Sequence, residues 1–229
     1  MAKSARSSPV AGRNRPRLAP ALFVIWLLAW LALAIAIALR FRQDWLLENL
    51  LVFAAVPWLW HRWRTAPLSD LASSALFVFF SLHAIGAHYT YSEVPDDAWW
   101  QAVFGTPLDG SSTGEACNHF DRVVHFGYGL LVGPAAVELI RCAVDPRGLW
   151  RWLLPWTFLC SHSLIYELIE WGAATLFGGD LGVAYLGTQG DVWDAQKDMA
   201  LAALGAACGV GFNVWRGARE RPSRGTAIA

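Results

Sequence analysis

An aspartate and a histidine four residues apart, Asp121 and His125, open a long apolar stretch of the chain. At this spacing both side chains lie on one face of a helix, one turn apart. Two later apolar segments carry similar pairs: Glu167 with Glu170, and Asp194 with Asp198. Mixed carboxylate and imidazole ligands suit Zn, Mn or Fe better than Ca. A metal-activated water with a carboxylate base is a common means of hydrolysing phosphate or acyl bonds.

The candidate site residues fall into three sets. The candidate catalytic residues are Asp121, His125, Glu167 and Glu170. The candidate metal ligands are those four residues together with Asp194, Asp198 and His83. The candidate substrate-binding residues, expected at the entrance of the site, are Tyr91, Glu93, Gln189 and Asp191. No hydrolase motif such as HExxH is present, and the four cysteines show no metal-binding spacing.

Each of these residues also has a structural interpretation. Asp121 and Asp194 could mark helix starts, where carboxylates are favourable. Glu167, Glu170 and His125 could hydrogen-bond across helices and fix their packing. An isolated histidine such as His83 is more often structural than a metal ligand.

The composition indicates that membrane-spanning helices position these residues. The chain of 229 residues is 55% hydrophobic and only 16% charged, whereas soluble domains carry about 25% charged residues. Six apolar segments are long enough to predict an all-α bundle of about six transmembrane helices. They cover residues 20–39, 45–60, 68–88, 121–142, 150–177 and 194–215, and residues 89–120 are predicted to form a loop. Gly205 and Gly209, four residues apart in the last segment, predict a close helix-packing face.

The distribution of basic residues predicts the orientation of this bundle. With six spans, both termini lie on one side, and cytoplasmic loops carry the excess of Lys and Arg. A cytoplasmic amino terminus places 14 of the 18 basic residues inside. In this orientation the acids and histidines of four segments lie at one depth, near the outer face. Charged groups inside a span usually face a bundle interior or a watery cavity, so we expect a polar cavity open to the outer leaflet.

The chain reads as one domain with two tails. Residues 1–19 are basic, rich in Pro and Ser, and predicted to be disordered; 20–215 form the six-helix domain, and 216–229 form a basic cytoplasmic tail. The expected surroundings are the lipid bilayer, with a lipid or envelope precursor as partner molecule and no nucleic acid. The sequence indicates no particular protein partner.

Four ordered blocks resemble the bacterial inner-membrane YjdF family, over roughly residues 45–215. They are His83 with His88-Tyr-Thr-Tyr-Ser-Glu-Val-Pro95, then Asp121-Arg-Val-Val-His-Phe126, then Tyr166-Glu-Leu-Ile-Glu-Trp171, then Tyr185 to Met199. The resemblance implies a multi-pass protein of the bacterial cytoplasmic membrane and does not imply a particular reaction.

The chain also resembles, more distantly, VanZ-like membrane proteins. Their pattern of Asp-Lys-x-x-His-Phe, Glu-x-x-Gln and Asp-x-x-x-Asn is matched at Asp121, His125, Phe126, Glu167 and Asp194. The chain departs from it with Arg122 for Lys, Glu170 for Gln and Asp198 for Asn. Two of these departures add a carboxylate, which favours a bound cation. VanZ proteins are associated with glycopeptide-antibiotic resistance, so this likeness implies a cell-envelope context.

Three functions remain open from the sequence. The first is an enzyme acting on a lipid or envelope precursor at the outer leaflet, with a divalent ion in the cavity. The second is a transporter or ion carrier that uses the carboxylates as a proton or cation relay. The third is a structural or partner-binding protein whose polar cluster only fixes helix packing.

Overall fold

The computed structural model of the protein describes residues 18–36, 42–91, 93–108, 119–179 and 191–219. All regular secondary structure within these ranges is helical, which confirms the all-α prediction. The helices are α1 Leu18–Ala36, α2 Arg42–Glu48, α3 Leu50–Thr65, α4 Asp70–His88, α5 Asp96–Phe104, α6 Phe120–Val144, α7 Trp150–Phe177 and α8 Asp194–Arg219. Most of both predicted tails and the whole of 180–190, including Gln189, lie outside the described residues.

Four described helices are long and apolar enough to cross a membrane. They are α1, α4, α6 and α8. Helix α7 has 28 residues, more than the roughly 20 that a span requires, but carries His162, Glu167 and Glu170 along its length. The predicted count of six spans is therefore approximate.

The predicted second span is interrupted by one non-helical residue, Asn49, between α2 and α3. Backbone hydrogen bonds from Asn49 to the Trp45 carbonyl and from Phe53 to the Asn49 carbonyl continue across it. The Asn49 amide accepts a hydrogen bond from Trp30 Nε1 at 2.9 Å and donates one to the Trp45 carbonyl at 2.8 Å. Asparagine side chains offer the backbone such alternatives to regular helix. Glu48, the last residue of α2, lies in the protein interior and is only 5% exposed.

A short helix, α5, lies in the stretch 89–120 that the sequence predicts as a loop. Asp96 and Asp97 occupy its first turn, where carboxylates favour helix formation. Gly105 follows its last residue in the left-handed conformation, at φ 74°, and ends the helix. The Asp96 carboxylate also accepts a hydrogen bond from the His119 backbone amide at 2.7 Å, which ties α5 to the start of α6.

Glycines allow α6 and α8 to pack closely against each other. A Cβ at Gly205 would collide with the Phe126 carbonyl oxygen, and one at Gly209 would collide with the Leu130 carbonyl oxygen. A Cβ at Gly133, on the facing helix, would lie 3.0 Å from the Gly209 carbonyl carbon. Small residues let membrane helices approach this closely. The prediction that Gly205 and Gly209 form a close packing face is confirmed.

The bundle has two ends, and α6 and α8 run parallel from one to the other. We call the end where α6 and α8 begin the cluster end; there Tyr91, just after α4, packs with Phe120. At the opposite end, where α3 ends and α4 begins, Glu138 of α6 accepts hydrogen bonds from the backbone amide and the hydroxyl of Ser69. Helix α6 contacts α4, α7 and α8, so it carries its side chains into the centre of the bundle.

Candidate functional site

Asp121, His125 and Asp198 bring three candidate ligand atoms together at the cluster end. These atoms, one from each residue, all lie within 4.8 Å of one another. Asp121 and His125 stand one turn apart on α6, and Asp198 faces them from α8. The glycine contacts between α6 and α8 begin within two turns of these residues. The close helix packing therefore sets the distance between the two sides of the group.

Glu167 of α7 adjoins this group through His125. His125 Nε2 lies 3.6 Å from Asp121 Oδ1 and 3.6 Å from Glu167 Oε1. These separations are too long for direct hydrogen bonds. Two ligand atoms that each lie about 2.0–2.2 Å from a shared ion would stand about 3.0–3.5 Å apart. The spacing around His125 therefore suits a small cation better than direct side-chain pairing.

Two carboxylate oxygens of the group are buried without a hydrogen-bond partner among the described residues. They are Glu167 Oε1 and Asp198 Oδ1, and Asp198 is only 2% exposed. An unsatisfied buried acceptor costs about 1–3 kcal/mol, and more when it is charged. A cation or a proton between these oxygens would remove that cost.

Glu48 belongs to the same site, although the candidate sets drawn from the sequence omit it. Its Oε2 accepts a hydrogen bond from the Tyr166 hydroxyl at 3.3 Å, and its carboxyl interacts electrostatically with Asp121. Tyr166 also hydrogen-bonds Glu170, so it connects the acids of α2 and α7. The sequence signal was the presence of an acid within an apolar segment, which marks a functional candidate by default.

The site collects far more acids than bases. Its carboxyl groups come from Glu48, Asp121, Glu167, Glu170, Asp194 and Asp198. The nearest cation is Arg122, which lies 3.7 Å from Asp194 Oδ1 and 2.6 Å from Asp191 Oδ2. Carboxylates that share a site cannot all ionise without a compensating charge. The acids must therefore hold several protons or a multivalent cation.

Asp191 lies at the rim of the site and joins the starts of α6 and α8. Its Oδ2 contacts Arg122 and, at 2.5 Å, Lys197 Nζ, and its Oδ1 accepts from the Trp193 backbone amide at 3.1 Å. The hydrogen bond from Lys197, followed by that from Trp193, lowers the pKa of Asp191 below its ordinary value. Asp191 therefore stays ionised and holds the Arg122 guanidinium beside the acids of the site.

The remaining candidates do not join the ligand group. His83 Nδ1 lies 2.6 Å from the Tyr91 hydroxyl, and both residues are buried, so they form an interior pair of their own. Glu93 is exposed and interacts electrostatically with Asp44 of α2. The structure thus brings together six acids and His125 from α2, α6, α7 and α8. The sequence had predicted a contribution from α4, through His83, in place of the one from α2.

Comparison with known proteins places the chain among membrane proteins. Residues 20–219 match the family described as "Predicted membrane protein (DUF2238)". The chain is 33% identical over 168 residues to "Inner membrane protein YjdF" of Escherichia coli (strain K12), across 72% of this chain and 75% of that protein. No solved structure matches the chain.

These matches confirm the resemblance to the YjdF family, whereas the likeness to VanZ-like proteins stays a prediction. Together with the long apolar helices, they make this a multi-pass integral protein of the inner membrane. The chain belongs to the DUF2238 family of membrane proteins.

Proposed function

We propose that this protein is a membrane enzyme that hydrolyses a bond in a lipid or cell-envelope precursor at the outer leaflet. A divalent ion, Zn, Mn or Fe, would be held by Asp121, His125 and Asp198, with Glu167 as a further ligand. The observation that carries this proposal is the convergence of three candidate ligand atoms within 4.8 Å. The buried unpaired oxygens of Glu167 and Asp198 support it.

The acids around the ion have distinct roles in this proposal. A bound divalent ion lowers the pKa of a coordinated water and supplies hydroxide at neutral pH. Glu170 has its carboxyl within hydrogen-bonding range of Glu167 and would take the proton of that water as general base. Tyr166 and Glu48 would hold Glu170 in position. Arg122, at the rim, would attract the anionic group of an arriving precursor.

The geometry favours this function over a purely structural cluster. A cluster that only fixes helix packing gains stability from direct hydrogen bonds across helices. Here the distances from His125 Nε2 to its two nearest carboxylates are both 3.6 Å, and two buried oxygens are unpaired among the described residues. Such an arrangement costs stability unless something else occupies the site.

The other end of the bundle favours an enzyme over a proton or cation relay. A relay needs exchangeable acids towards both faces of the membrane. Glu138, the acid of α6 near the opposite end, is held by two hydrogen bonds from Ser69 at the start of α4. The Glu138 carboxyl group is therefore engaged in a contact between helices, which is a structural role and not that of the second acid of a relay.

A hydrolysis assay tests this proposal. Purified protein supplied with Zn, Mn or Fe(II) is incubated with bacterial envelope lipids, and release of phosphate and of fatty acid is followed. We expect release that requires a metal and falls about 100-fold or more in Glu170→Gln, which removes the base. His162 lies on the same helix but is exposed and stacks on Tyr128, so His162→Ala is the matched control.

Two results would contradict the proposal. One is no release of either product with any of the three metals. The other is release that Glu170→Gln and His162→Ala reduce equally, because the base would then have no role distinct from that of any polar residue on α7.

A further inference from the structure

A cavity lies away from the carboxylate site, at the opposite end of the bundle between α1, α3 and α4. It is open on one side, has a volume of about 80 Å³, and is lined mainly by apolar side chains, six of which are aromatic. Among its lining residues are Trp26, Trp60, Trp63, Phe77, Phe80 and Arg62. Arg62 is the one charged residue among those that line it. The cavity is thus an apolar slot with a single positive charge.

Two hydrogen-bond donors in the lining of this cavity have no acceptor among the described residues. They are Trp26 Nε1 and Arg62 Nε, and both atoms are buried. A buried donor without a partner costs about as much as a lost hydrogen bond, and a charged one costs more. The lining carries no carboxylate, and a bound ligand with acceptor oxygens would satisfy both donors.

A phospholipid supplies the chemistry that this cavity lacks. Its phosphate and ester oxygens are acceptors for Arg62 and Trp26, and its acyl chain fills a slot walled by aromatic rings. Free phosphate would satisfy Arg62 and leave the apolar walls without a partner. An anionic headgroup fits best, since Arg62 gives the cavity a positive charge that no lining carboxylate offsets.

We propose that this cavity is a binding site for one anionic phospholipid, with its phosphate at Arg62 and an acyl chain between α1, α3 and α4. The lipid would attach α1 to the bundle. Helix α1 buries only two of its own residues, Trp26 and Trp30. The predicted orientation puts this end in the cytoplasmic leaflet, where anionic lipids attract basic residues beside membrane spans.

Native mass spectrometry of the detergent-purified full chain tests the site. The protein is supplied with phosphatidylglycerol or with phosphatidylcholine of the same acyl chains. We expect one phosphatidylglycerol retained per chain and little phosphatidylcholine. Arg62→Gln should weaken phosphatidylglycerol retention about tenfold or more, because it removes a charge-assisted hydrogen bond. Arg64→Gln removes an equal charge outside the cavity and should retain the lipid.

A second variant tests the cavity without changing charge. Ser73 lines the slot, so Ser73→Phe should fill it and exclude the acyl chain while Arg62 remains. Equal retention of both lipids would overturn the proposal. So would equal retention by Arg62→Gln and Arg64→Gln, or undiminished binding by Ser73→Phe. Since Ser73→Phe and Arg62→Gln alter different parts of the cavity, either one that folds decides the question.

Discussion

Asp191 shows how a single half-buried carboxylate can fix the rim of the site. It contacts Arg122 of α6 and Lys197 of α8 through one oxygen, and it lies just before α8. Its pKa is lowered, first by the hydrogen bond from Lys197. A carboxylate with a lowered folded-state pKa stabilises the fold above its ordinary pKa of 3.8, and that stabilisation is lost as the pH falls through the folded-state value.

We therefore predict that Asp191→Asn reduces the acid sensitivity of the protein. The variant should be less stable than the wild type at pH 6 and should lose less stability between pH 6 and pH 3. Thermal unfolding in detergent across this range measures the effect. Lys197→Met, which removes the first cause of the shift, should have a profile closer to that of Asp191→Asn. A wild-type pH profile in Asp191→Asn would contradict the account.

At the scale of single residues, sequence spacing predicted which residues share a helix face. Side-chain contacts between helices decided which of them join the site. The i, i+4 spacing placed Asp121 and His125 on one face of α6, and the structure adds Asp198 to them. The pairing of His83 was not predictable from the sequence. Its Nδ1 atom lies within hydrogen-bonding distance of the Tyr91 hydroxyl, and Tyr91 follows α4 after a turn that hydrophobic periodicity does not reveal. Glu48 was visible as an acid in an apolar segment, but its place beside Tyr166 depends on residues 118 positions apart.

The helices α6 and α8 carry the site because they pack with almost no space between them. At Gly205 even a methyl group would collide with the α6 backbone. Forcing the two helices apart there would move Asp121 and His125 away from Asp198. The geometry of the site thus depends on glycines about two turns away.

We predict that Gly205→Ala is strongly destabilising, by about 1–3 kcal/mol or more, because overpacking forces backbone shifts. Gly172→Ala is the matched control, since α7 leaves open space at that position. It should be neutral or stabilising by up to about 1 kcal/mol, because alanine favours helix more than glycine does. Thermal unfolding in one detergent compares the two. Equal unfolding temperatures of the two variants would show that α6 and α8 leave room for a methyl group at Gly205.

At the scale of helices, the sequence was sufficient to predict those features that neighbouring residues determine. The four-residue glycine spacing in α8 predicted its packing face. The break at Asn49 was not predictable, because its partner Trp30 lies 19 residues earlier on another helix. Helix α5 carried readable signals, two aspartates at its start and a glycine at its end, in a stretch too polar to suggest a membrane span.

The whole molecule has two chemically different ends. The cluster end collects carboxylates, and the opposite end carries Arg62 beside an aromatic cavity. Composition predicted the membrane class, and the lengths of the apolar segments predicted the helical fold. The placement of both termini in the cytoplasm stays a prediction, which the distribution of arginines supports.

Metal binding would act on the whole molecule, because the ligands come from separate helices. An ion that binds only the folded chain stabilises it according to its concentration and affinity. With Asp121 and His125 on α6, Asp198 on α8 and Glu167 on α7, occupancy would draw three helices together. Loss of one ligand should therefore lower both the metal content and the unfolding temperature gained on adding metal.

The most direct measurement is elemental analysis of detergent-purified protein prepared without chelator. Wild type is compared with His125→Ala, Asp198→Asn and the control His162→Ala, each first shown to be folded by size-exclusion chromatography. The account predicts about one Zn, Mn or Fe ion per chain in the wild type and in His162→Ala, and a loss of that ion from the other two variants. A metal-free wild type, or equal metal content in all four proteins, would contradict the claim that this cluster is a metal site.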